Sequence, residues 1–161
     1  MKVFAALVGV GIYFSYHGYA QSHDLALSPR TNYLERCGGC HGITGRSASM
    51  LVPDLKDRAG YFLCNRRSRS YVARLPNVVF SQISDTDLAA LLNYVMFGLG
   101  ADSVRADAAK YTASELKQFR KDPVTTTDMV AYRRKIVASL IKDCGAPAAL
   151  LTDYHPSTRL P

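Results

Sequence analysis

The stretch from Arg36 to Leu55, RCGGCHGITGRSASMLVPDL, places Cys37 and Cys40 three positions apart, with His41 directly after the second thiol. Three chemistries use paired cysteines at this spacing: a redox disulfide, half of a zinc site, and covalent attachment of a haem. Zinc needs a second pair of ligands at comparable spacing, and the other cysteines, Cys64 and Cys144, are single and 80 positions apart. A thioredoxin-like disulfide needs a strand before the motif and a βαβ pattern around it, and neither is visible. The third chemistry fits C-x-x-C-H. Two residues between the thiols match the separation of two vinyl groups on one edge of the macrocycle, and the histidine reaches the iron once both thioethers pin the chain. The expectation is one covalently attached haem c, held by Cys37 and Cys40, with His41 as proximal iron ligand.

The elements that must position these groups read as helices. Ser28 supplies an N-cap and Pro29 a first helical residue, so TNYLER forms a short helix that runs into Cys37 with Tyr33 one turn ahead. Farther on, Ser84 and Asp87 form a capping-box pattern. Leu88, Leu91, Leu92 and Val95 then follow at i, i+3, i+4 and i+7, which is an amphipathic helix. The intervening YFLCNRRSRSYVARL and LPNVV read as loops with at most one short helix, and no two-residue alternation suggests a sheet. The fold class is mainly α.

Together these residues resemble the class I c-type cytochromes over about Ser28 to Gly100. In that family an aromatic a turn before the first cysteine packs on an aromatic of the C-terminal helix; the resemblance implies Tyr33 against Tyr94. It also implies that Pro53, followed by Leu55, offers its carbonyl to the second ring nitrogen of His41 and so fixes its tautomer and orientation. Gly42 and Gly45 fit the tight turn after the histidine.

One feature departs from the family pattern. The family places a distal methionine in the loop ahead of its C-terminal helix, yet Asp54 to Asp85 contains neither methionine nor histidine. The sixth iron position is unassigned. Met50 would have to cross the haem edge from the proximal loop, and Met96 lies in the terminal helix. Met129, His23 and His155 fall outside the resemblance. A vacant or water-filled site, or a loop ligand such as Asn77, stands beside them.

After Gly100 the chain continues through two further helical patterns. YTASELKQFRKDP opens with Thr112 and Glu115 in a capping box and stops at Pro123; TTTDMVAYRRKIVASLIKDCG has Asp128 near its start and Gly145 just past its end. Val130, Ile136, Val137, Leu140 and Ile141 give the second an apolar side that needs cover, from the haem domain or from a partner. GAPAALLTDYHPSTRLP reads as an irregular end. An oxidising compartment would allow a bridge between Cys64 and Cys144, provided their Cα atoms lie within about 4.4–6.8 Å.

The N-terminus sets that compartment. Lys2, an apolar run from Val3 to Phe14, and small residues Gly18 and Ala20 ahead of Gln21 read as a cleaved secretory signal; the run falls short of the ~20 residues that span a bilayer. The organisation is therefore a signal over 1–20, a cytochrome c-like haem domain over 21–100, and a helical extension with an irregular tail over 101–161. Localisation is periplasmic, with membrane attachment only if the signal stays uncleaved. The chain has 161 residues, 48% of them hydrophobic, which suits one modest domain with a real core. Twenty Lys and Arg against 13 Asp and Glu favour acidic partners. The cluster Arg66, Arg67, Arg69 and Arg74 is too scattered for nucleic acid and suits either a solvated face or a docking patch.

Three functions follow. The first is single-electron transfer to an acidic redox protein, without substrate chemistry. The second is binding of a small ligand at an open or atypical sixth site. The third is a dedicated acceptor subunit fastened by the extension to a periplasmic dehydrogenase.

Overall fold

A computed structural model of the protein describes residues 27–47 and 52–152. The expected signal segment lies outside the described residues. All regular structure within them is helical, in keeping with the expected mainly α class.

Helix starts follow the capping side chains. α1 (Pro29–Arg36) begins where Ser28 Oγ accepts the Thr31 N–H at 3.1 Å, and α2 (Gly38–His41) carries the motif directly after it. A 3₁₀ turn, Ala59–Leu63, precedes α3 (Arg66–Ala73) and α4 (Pro76–Val79). These two helices occupy the stretch in which the sequence suggested loops and at most one short helix. Asn65 caps α3 by accepting from Ser68 N at 2.9 Å, and Pro76 opens α4, but neither helix has an apolar repeat long enough to show in the sequence.

α5 (Asp85–Asn93) starts at Ser84, whose Oγ accepts from Asp87 N at 3.0 Å, and runs into a π-helical turn, Tyr94–Leu99. Leu88, Leu91, Leu92 and Val95 are all buried, as their spacing requires. In the extension, α6 (Ala113–Phe119) is capped by Thr112 and α7 (Met129–Cys144) by Asp128; Gly145 ends α7 in the left-handed conformation at φ 65°. The stretch after α7 is less irregular than expected: Ala148–Leu151 forms a 3₁₀ turn that buries Leu150.

Two apolar clusters hold these helices. The first joins Tyr33 of α1 to Leu88 and Leu92 of α5 and Met96 of the π turn, and it takes in Tyr111 and Leu116 from the extension. The second packs Phe62 and Tyr71 against Ile136, Val137 and Leu140 of α7. The apolar side of α7 is thus covered by the chain itself.

Cys64 and Cys144 are bonded, with Cα atoms 6.2 Å apart. Three arginine contacts add cross-ties. Arg69 Nε and Nη2 meet the Glu115 carboxylate at 2.6 and 2.7 Å, Arg74 Nη2 meets Asp122 at 2.7 Å, and Arg120 reaches Asp85 at 3.2 Å and the Ser81 carbonyl at 3.1 Å.

Candidate haem site

The site begins at the end of α1. Cys37 N donates to the Tyr33 carbonyl at 2.8 Å, and His41 N donates to the Cys37 carbonyl at 2.9 Å, so both cysteines and the histidine ride on one continuous turn. Cys37 is half-buried and Cys40 exposed, and they are not bonded to each other. Burial pushes the Cys37 thiol up from its ordinary value, against the opposing pull of Arg36.

The chain must then reverse, and Gly42 allows it. Its φ is +75°, and a Cβ there would meet the Arg46 carbonyl oxygen at 2.1 Å. Gly45 continues the turn, and its carbonyl accepts from Leu55 N at 2.8 Å and Lys56 N at 3.0 Å, which brings the Pro53 segment back beside His41. The Pro53 carbonyl lies 2.9 Å from His41 Nδ1. A carbonyl can only accept, so Nδ1 carries the proton and Nε2 keeps the lone pair that a metal needs. Burial holds the imidazole below its usual pKa, against the Pro53 contact and the Asp54 charge.

Two supports escaped the sequence reading. Tyr33 was expected to pack on Tyr94, and the ring centroids are 5.7 Å apart. Its hydroxyl also donates to the Gly42 carbonyl at 2.5 Å, tying α1 to the residue after His41. Asp54 Oδ1 accepts from Ser47 N at 2.7 Å, and Ser47 Oγ donates to the Cys40 carbonyl at 3.2 Å. A short polar side chain across a glycine turn is the signal that could have found this pair, but it is a weak one.

These residues fit a haem on geometric grounds. Among the described residues no three His, Cys, Asp or Glu side chains converge on a point where one metal ion could sit, so the two thiols and the imidazole are not arranged around a shared zinc. Among the described residues nothing lies within 4 Å of a Cβ built at Gly39, so this position between the two cysteines is open. Ile43, two residues past His41, is 70% exposed and puts apolar surface directly after the motif.

The sixth-ligand candidates separate. Met96 is 1% exposed and packs among Tyr33, Leu88 and Leu92; Met129 packs against the second cluster; Asn77 is exposed. Met50, His23 and His155 lie outside the described residues. Of the four clustered arginines, Arg66 and Arg67 are exposed, whereas Arg69 and Arg74 are committed to Glu115 and Asp122. An open cavity of about 450 Å³ between Cys64, Arg66, Arg69, Arg105 and Glu115 includes none of the motif residues.

Comparison with known proteins gives two relatives, both named cytochrome c-552 and both from Thermus thermophilus. One is 24% identical over 131 residues, covering 70% of this chain and 88% of that protein. The other is 25% identical over 120 residues, covering 63% of this chain and 91% of that protein. No family model and no solved structure matches the chain.

Proposed function

We propose that this protein is an exported, mono-haem c-type cytochrome of class I type that passes single electrons between redox partners. The observation that carries this reading is the 2.9 Å contact between His41 Nδ1 and the Pro53 carbonyl, which leaves Nε2 free beside two unbonded thiols at C-x-x-C-H spacing. The similarity to two proteins named cytochrome c-552 supports it.

When bound, haem c would supply a one-electron iron couple. Cys37 and Cys40 would hold it through thioethers, and His41 would be the proximal ligand. The Pro53 carbonyl fixes the imidazole tautomer; Tyr33 and Ser47 hold the backbone on either side of it. The partner is an acidic redox protein or a periplasmic dehydrogenase, met by the net positive surface. With Arg69 and Arg74 engaged in ion pairs, Arg66 and Arg67 are the members of the cluster left to face it.

A second reading, small-ligand binding at an open or atypical sixth site, is favoured by one observation: the segment from Asp54 to Asp85 has no methionine or histidine, and Met96 is part of the helix-helix core.

One experiment addresses both. Protein from an export-competent host should keep its haem through acid-acetone extraction, and Cys37→Ala with Cys40→Ala should abolish attachment. A colourless, folded, zinc-containing product overturns the proposal. In the loaded protein, Met96→Leu should leave the near-infrared charge-transfer region unchanged; a methionine band that vanishes in this variant makes Met96 the ligand. Rapid carbon monoxide uptake by the ferrous form selects the second reading.

A further inference from the structure

We propose that the Cys64–Cys144 bond is an exchange site, at which an anionic thiol entering the cavity beside α3 attacks the sulfur of Cys64 and expels Cys144. The two halves of the bond stand in different surroundings. Both residues are half-buried, but Cys64 lines the open cavity of about 450 Å³, whereas Cys144 is not among the residues around it. Access therefore favours attack at Cys64.

The charge of the cavity selects the thiol. Arg66, Arg69, Arg105 and Lys110 line it against Asp107 and Glu115. Arg69 pairs with Glu115 at 2.6 Å and Arg105 with Asp107 at 3.0 Å, so both acids are neutralised and the surplus is positive. Arg66, exposed and two positions after Cys64, is part of that surplus. A thiolate that also bears a sulfonate or carboxylate is drawn to such a place, and a thiol bearing an ammonium is repelled.

The leaving sulfur carries a hydrogen bond. Asn65 Nδ2 donates to Cys144 Sγ at 3.7 Å, and the amide is fixed in that sense because its Oδ1 accepts from Ser68 N at 2.9 Å. Cys144 is the last residue of α7, where the negative end of the helix works against a thiolate. The Asn65 donor opposes this, and a hydrogen bond to an ionised group is the larger of the two effects. The step balances without an outside oxidant. A new S–S bond forms between the thiol and Cys64 as the old one breaks, the electron pair of the old bond passes to Cys144, and the proton of the incoming thiol has already gone to solvent.

This proposal does not depend on the haem reading. The full, haem-loaded chain is mixed with mercaptoethanesulfonate, quenched with excess maleimide and mapped by peptide mass. The adduct should sit on Cys64 and the maleimide on Cys144. Mercaptoethanesulfonate should gain about fivefold over cationic cysteamine, relative to the same pair acting on a neutral small disulfide, and the gain should shrink with added salt and in Arg66→Gln. Asn65→Ser keeps an oxygen to cap α3 but removes the donor to Cys144, and should slow exchange about threefold to tenfold. Damage to the start of α3 would loosen the bond and speed exchange, so slowing reports the lost donor. If Asn65→Ser does not fold, the adduct map and the thiol comparison decide the matter. An adduct on Cys144, an even split, exchange no faster than global unfolding, or no preference for the anionic thiol overturns the proposal.

Discussion

Removing the Cys64–Cys144 bond should cost the protein a large share of its stability. The bridge spans a sequence separation of 80, for which loop-closure entropy in the unfolded chain gives about 4.5 kcal/mol. In a chain of 161 residues each kcal/mol moves the melting midpoint by about 2–4 °C, so the expected fall is about 9–18 °C. The native contacts of α7 survive the change, since Ile136, Val137 and Leu140 are fully buried in a cluster that also takes in Phe62, Tyr71 and Leu150. The helical signal of the folded state should therefore be unaltered. The assay is guanidinium unfolding followed by circular dichroism, comparing wild type with and without dithiothreitol to Cys64→Ala with Cys144→Ala. Cys37 and Cys40 are not bonded to each other, so reduction acts on this bond alone. A loss below about 1 kcal/mol, or a dithiothreitol effect that persists in the double variant, would refute the entropic reasoning.

Two further outcomes follow from the cross-ties and the buried tyrosine. Arg69→Met keeps an unbranched apolar stem but strips donors from Glu115 and from the carbonyls of Ala109 and Lys110, and should cost about 2–3 kcal/mol in denaturant titrations; a cost near that of ordinary surface pairs, about 0.5 kcal/mol, would contradict it. Burial pushes the Tyr33 hydroxyl up to about 12 from 10.0, so its contribution to stability is whole below about pH 10 and is lost as pH climbs from there toward 12. Tyr33→Phe should cost about 1 kcal/mol at neutral pH and flatten part of that alkaline fall, the remainder belonging to Tyr111, whose hydroxyl is raised for the same reason. Equal alkaline slopes in the two proteins would count against this assignment.

What could be read from the sequence was local. Ser28, Ser84, Thr112 and Asp128 each accept the N–H of the residue three positions on, and such pairs need no knowledge of the rest of the chain. The motif and its proline likewise act within a short stretch. α3 was illegible because Arg and Ser dominate it and its hold comes from far away: Tyr111 Oη donates to the Arg69 carbonyl at 2.9 Å, and Val124 N to the Arg74 carbonyl at 2.8 Å. The division of the arginine cluster, which the sequence offered as a solvated face or a docking patch, into exposed and ion-paired members was illegible for the same reason. The acids that neutralise Arg69 and Arg74 are Glu115 and Asp122, and nothing in the local pattern of charge announces which cations they meet.

The extension and the missing methionine bear on one another. In the family that the motif resembles, the segment ahead of the C-terminal helix contributes a ligand, and a metal bond at such a place ties the segment down. Here that segment has no methionine or histidine to offer, yet it is tied at both ends by protein contacts. Cys64 is bonded to α7 at its start, Arg69 and Arg74 are paired with Glu115 and Asp122 along α3, and Arg120 holds Ser81 and Asp85 at its close. Each tie comes from beyond Gly100. The extension thus supplies from the outside the restraint that an iron bond would supply from within, so the position of α3 would not depend on the group at a sixth site. Changes at that site should consequently alter the spectrum far more than the stability, whereas changes at Arg69 or the disulfide should do the reverse.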